Sequence, residues 1–172
     1  MRICQLISTA ILSAIALAIP AHATGVSGVI ATQTWTKANS PYVVTDTVTV
    51  PAGETLTIEA GVDVLFDAGT ELLASGAMHA LGAADDSVRF LPSDSSGWGG
   101  IRIENADSSS FSWCRISGVR RLAHLVTLAG GGLRVVNSRV HLTHVTITGN
   151  ELHAGTYPAT AARDPHGGGM AI

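Results

Sequence analysis

Two sets of residues in this 172-residue chain have types and spacing that could do chemistry: the adjacent aspartates Asp85-Asp86, and four histidines near the end, His141, His144, His153 and His166. A carboxylate pair can hold calcium or serve as acid and base on a glycoside. These aspartates fall between Gly82 and Val88, in a segment that reads as a corner, where Asp is common because it tolerates turn geometry. A zinc site needs three or four ligands converging on one point. His141 alternates outward from Val140 and Leu142, whereas His144 stands at a kink before Val145, so the two diverge. His153 and His166 lie in a loop with Gly155, Pro158, Pro165 and Gly167. All six read as surface residues.

Three further features carry weaker signals. Arg120-Arg121 is the one basic pair; it can hold an acidic sugar but reads as a solvated corner. Cys114, in FSWCRISG, reads as a small apolar filler rather than a reactive thiol. Trp35 reads as part of a lid over the first strands, with sugar stacking as its functional alternative. The sequence therefore assigns no catalytic, cofactor-binding or metal-binding residue.

The stretch that must position everything else runs from Thr47 to Ala74. Apolar pairs recur at Val48/Val50, Leu56/Ile58, Val64/Phe66 and Leu72/Ala74, each eight residues after the last. Gly53, Gly61 and Gly69 punctuate them at the same interval. A spacing of two within each pair puts both side chains on one strand face. The corners are Ala-Gly, not the Asn-Gly or Asp-Gly that two-residue hairpins favour. The pattern predicts an all-β parallel β-helix (solenoid) with three short strands per coil of about 24 residues; an antiparallel sandwich or barrel is the alternative. Val88 and Phe90 follow Val64 and Phe66 by 24, so Val88 is expected over Val64 and Phe90 over Phe66, with coils about 4.8 Å apart. On the same spacing Trp98 turns inward over Ala74. Thr47 and Thr49 are followed at that interval by Glu71 and Leu73, so no threonine ladder of the ice-binding kind forms.

Residues 1–23 read as a secretion signal. Arg2 gives the positive start, Leu6 to Ile19 the apolar run, and Ala21-His22-Ala23 the cleavage pattern, so the mature chain begins at Thr24. The run is short of the roughly 20 residues of a membrane span, and Cys4 lies ahead of it, too early for a lipoprotein cysteine. Loss of Arg2 takes the net charge from −3 to −4, which leaves no electrostatic footprint for nucleic acid or an anionic membrane. Only Cys114 survives processing, so the mature chain has no intrachain disulfide. Residues 24–41 are expected to cap the first coil, and 42–172 to form the solenoid.

Later segments extend the pattern. NADSSS (105–110) reads as a polar loop; Phe111, Trp113, Ile116 and the LVTL run suggest further strands. Leu133/Val135, Val140/Leu142 and Val145/Ile147 are apolar pairs followed by Asn137 and Asn150, which are expected to bond neighbouring backbone at stacked corners. GGGL (130–133) and GGGM (167–170) match each other.

The runs PYVVTDTVTVPAGETLTIEAGVDVLF, ELLASGAMHALGAADDSVRF and GWGGIRI together resemble the right-handed parallel β-helix repeat of secreted bacterial proteins, over about Trp35 to Ile103. TITGNELHAG…GGGMAI resembles the I-x-G-N…G-G-G repeat of polymorphic outer-membrane and autotransporter-like β-helices. These resemblances imply a right-handed winding and a secreted or cell-surface protein. It would act as a non-catalytic scaffold, adhesin or glycan-contacting surface, without a cofactor. The expected partners are a polysaccharide or cell-envelope surface, and neither nucleic acid nor a membrane span. The alternative is a polysaccharide lyase or glycoside hydrolase of pectin-lyase-like fold, but the carboxylates are scattered and match no such catalytic set. The strand begun at Gly167–Ile172 stops early, so the chain is expected to be truncated at its C-terminus and to self-associate through that edge.

Overall fold

The computed structural model describes residues 23–106, 108–123, 131–154 and 169–171. The secretion segment up to His22, the Leu125–Leu128 run, His166 and the side chains of Arg121 and His153 lie outside the described residues.

Within them the chain is all-β, with a single 3-10 turn at Lys37–Asn39. The strands are β1 (Thr24–Val29), β2 (Gln33–Trp35), β3 (Tyr42–Val50), β4 (Thr55–Glu59), β5 (Asp63–Phe66), β6 (Leu72–Ala74), β7 (Ala77–Leu81) and β8 (Val88–Pro92). They continue as β9 (Ile101–Glu104), β10 (Ser109–Ser117), β11 (Arg120–Ala123), β12 (Leu133–Val136), β13 (Val140–Thr148), β14 (Glu151–Ala154) and β15 (Met170–Ala171).

Every ladder between these strands is parallel, and the pairs sort into rows. One row runs β2, β4, β7, then the first half of β10 and of β13. The second runs from the first half of β3 through β5 and β8 to the second halves of β10 and β13. The third runs from the end of β3 through β6, β9 and β12 to β15. β11 and β14 pair separately. Parallel neighbours cannot be joined by hairpins, so the chain visits the rows in turn and returns to each one layer further on.

The two-residue alternation does what its spacing demands. Val48, Val50, Leu56, Ile58, Val64, Phe66, Leu72 and Ala74 are all buried, and each strand's intervening residues stay partly exposed. Gly53, Gly61 and Gly69 turn the corners at φ of 85°, 75° and 75°. Residues 24–41 supply two strands of the sheet, with Trp35 fully buried beside Ile58 and stacked on Tyr42 at 4.9 Å. A buried indole has no face for a sugar.

The fixed 24-residue step does not hold. Val48 pairs with Leu72, a step of 24, but Tyr42 pairs with Val64 (22), Val64 with Phe90 (26), Ile101 with Leu133 (32) and Leu133 with Met170 (37). Val88 therefore does not lie over Val64, nor Phe90 over Phe66: Phe90 pairs with Val64, Pro92 with Phe66, and Val88 with Cys114. The cause is the corner at 82–87, which is longer than the one at 60–62 and closes on itself through an antiparallel bridge between Ala83 and Asp86. The extra residues shift the register by an even number, so Val88 and Phe90 keep their inward parity and are fully buried. Trp98 does turn inward, but over Phe66, ring centroids 3.9 Å apart, and not over Ala74. The polar loop at 105–110 is also shorter than expected, since Ser109 begins β10 and is fully buried, its Oγ accepting from the Met78 amide at 3.0 Å.

The described ends of the two glycine motifs, Gly131–Leu133 and Gly169–Met170, lie on neighbouring strands. Leu133 pairs with Met170, and the amides of Ile101 and Gly132 donate to the carbonyls of Gly132 and Gly169 at 3.0 and 2.8 Å. At Gly100, with φ of 93°, a Cβ would strike the Gly131 carbonyl.

Candidate functional site

Asp86 is held by Lys37 at 2.6 Å, and Asp63 by Arg89 through two bonds of 2.5 and 2.6 Å. Asp85 and Asp86 line an open groove with Gly61, Ser87 and Arg89, so a cation there would compete with two basic side chains. His141 projects from the row beside Ser110, while His144 stacks on Trp113 at 3.9 Å. Trp113 and His144 have φ of 48° and 53°, which turns β10 and β13 from the first row into the second at a single residue. The two histidines thus occupy different faces. Among the described residues no group of three or more His, Cys, Asp or Glu side chains is placed to hold a metal. Arg120 reaches Glu151 at 3.7 Å and donates to the Ser95 carbonyl at 3.1 Å. Cys114 is buried, and desolvation pushes its thiol up to about 12 despite opposing hydrogen bonds with the Gly82 and Ser112 backbone.

The best-developed polar cluster lies elsewhere, on the outer side of the third row. Thr49, Leu73, Arg102 and Arg134 follow one another in register across β3, β6, β9 and β12. Glu104 shares the outward face of β9 with Arg102, two residues on. Arg102 donates through Nη2 to Glu104 Oε1 at 2.9 Å and lies 3.6 Å from Glu71 Oε1 through Nη1. Arg134 Nη1 donates to the same Glu104 oxygen at 3.1 Å. The four side chains are only 18–34% exposed, so their pairing is less screened than that of a surface pair. Arg102 Nε is buried and finds no acceptor among the described residues. Beside it, Thr49, Leu73, Ala74, Ser75, Arg102 and Glu104 line a cleft of about 150 Å³.

Sequence reasoning passed over this cluster because its members come from different passes of the chain. A signal was available: aligning GGIRIE (99–104) with GGLRVV (131–136) on their glycines places Arg102 beside Arg134.

Comparison with known proteins finds no matching family model, no matching curated protein and no matching solved structure.

Proposed function

We propose that the three rows are the faces of a β-helix, wound in the right-handed sense that the repeat resemblances imply, and that the chain is a secreted or cell-surface scaffold with no catalytic role of its own. Its outer faces contact a polysaccharide or cell-envelope surface. The observation that carries this reading is the register of the third row. Thr49, Leu73, Arg102 and Arg134 form one straight column of outward side chains, each a strand spacing of about 4.8 Å from the next. Such a column is a rigid ruler that can meet an extended chain of sugars without rearranging.

The disposition of carboxylates supports a non-catalytic role over the lyase or hydrolase alternative. Glycoside hydrolysis uses two carboxylates facing each other across the scissile bond. Here Asp63, Asp86 and Glu151 are each engaged by a basic side chain at separate places in the sheet, and Glu71 and Glu104, which do come close, are bridged by Arg102. Export is supported by the leader-like residues 1–23 and by a first strand that begins at Thr24, where cleavage is expected.

A glycan array combined with assays for reducing ends and unsaturated products tests the reading. Retention on one class of polysaccharide with no product is expected. Turnover that disappears in Glu104→Gln or Asp86→Asn would replace the scaffold with an enzyme.

A further inference from the structure

We infer that the cleft beside Arg102 is a binding site for a single neutral sugar ring; the inference rests on the glycan-contacting reading above and specifies its site and ligand class.

Charge balance sets the class. Arg102 and Arg134 face Glu71 and Glu104, two cations against two anions, in contacts of 2.9 to 3.6 Å. The cluster offers an anion no net positive charge, and a uronate or phosphate would have to draw an arginine away from Glu104 and break one of the two bonds that hold its partly buried Oε1. A neutral hydroxyl needs no such exchange.

The unused hydrogen-bonding capacity sets the chemistry. Arg102 Nε is a buried donor without an acceptor among the described residues. Both arginine bonds to Glu104 fall on Oε1, so Oε2 takes part in neither. Thr49 and Ser75 add hydroxyls, which donate or accept as the ligand requires. Half-buried Leu73 gives the wall an apolar element between Thr49 and Arg102. A donor, a free carboxylate oxygen, two hydroxyls and an apolar patch complement the vicinal hydroxyls and C–H face of a sugar. The cleft of about 150 Å³ equals the liquid volume of roughly five waters, room for one ring of a chain laid along the column.

Saturation-transfer NMR tests this with methyl glycosides of glucose, galactose, mannose and N-acetylglucosamine, set against glucuronate and galacturonate. Two variants accompany the unaltered chain. Ser75→Tyr fills the cleft from an exposed position and leaves the ion pairs alone. Arg102→Lys keeps the charge but removes the Nε donor. At least one neutral glycoside should bind, bind more tightly than either uronate, and weaken about tenfold in both variants whose far-ultraviolet spectra match the parent. Neutral glycosides that bind all three proteins equally would overturn the site while leaving the glycan-contacting scaffold standing. Tighter binding of the uronates would overturn the ligand class. Silence from every sugar here and on the array would remove both readings.

Discussion

Asn105 and Asn137 stand in adjacent layers of the sheet, and the Asn137 amide donates to the Asn105 side-chain carbonyl at 2.9 Å. Both have left-handed backbones, with φ of 59° and 45°. Asparagine is among the few residues with a side chain that adopt this region readily, so one residue type serves the turn and the link between layers. Asn150 links layers differently, accepting from the Val119 amide at 3.0 Å and donating to the Ile116 carbonyl at 3.3 Å.

This dual role separates two substitutions at one position. Asn137→Gly loses the side-chain bond but keeps an unstrained turn, and should cost about 1 kcal/mol. Asn137→Ala loses the bond and adds the strain of a left-handed alanine, and should cost about 2 kcal/mol or more. Thermal or urea unfolding of the pair measures both. A glycine variant as stable as the parent would mean that the asparagine link contributes nothing, and alanine tolerated as well as glycine would mean that the turn carries no left-handed strain.

Parity makes an equally sharp comparison. Phe66 is fully buried and stacked on Trp98, so Phe66→Asp buries a charge with no partner and should cost several kcal/mol. Thr57 lies on the outward side of β4, next to His79, and Thr57→Asp should cost under about 1 kcal/mol. Equal losses in urea midpoint would contradict the assigned faces.

That parity was legible from the start, because alternation at a spacing of two is fixed by strand geometry and enforced by the core. Every apolar pair from Val48 to Ala74 is buried accordingly. The register was not legible, because it depends on how many residues each corner holds, and corners face solvent without an apolar pattern. The six residues from Gly82 to Ser87 changed the partner of Phe90 from Phe66 to Val64 without exposing it. Leu142 marks a similar limit: its parity is inward, opposite Phe111, yet it is 37% exposed. The cluster around Arg102 escaped for a related reason. Arg102 and Glu104 in IRIE look like ordinary outward residues until the register brings Arg134 and Glu71 alongside.

Two glycines, Gly69 and Gly100, offer a third test. At Gly69 a Cβ would meet open space, so Gly69→Ala carries only the strain of a positive φ, about 1 kcal/mol. At Gly100 the same strain is joined by a collision with the Gly131 carbonyl, in backbone that cannot move without disturbing the β9 to β12 ladder. Gly100→Ala should therefore lower the melting temperature distinctly further than Gly69→Ala. Comparable shifts would mean that the layers at Gly100 and Gly131 are not held as closely as described.

Cys114 makes the pH dependence specific. In an unfolded chain its thiol ionises near 9.0, whereas burial holds the folded thiol protonated up to about 12. A group whose folded value is raised adds stability fully below its unfolded value and loses it as pH climbs toward the folded one. Between about pH 9 and 12 the unfolded chain sheds a proton that the folded chain retains, so unfolding grows easier with each step. The slope from this one group approaches about 1.4 kcal/mol per pH unit. The parent chain and Cys114→Ala share every other titratable group, so the informative quantity is the difference between them, measured by urea unfolding from pH 6 to 10.5. The parent should lose stability faster than the variant above pH 9, and the two slopes should agree below pH 8. The same burial predicts that Ellman's reagent at pH 8 leaves a folded chain beginning at Thr24, which lacks Cys4, unmodified and titrates one thiol once urea unfolds it. A folded chain that reacts at the rate of an exposed cysteine, or parallel slopes through pH 10.5, would place Cys114 outside the core.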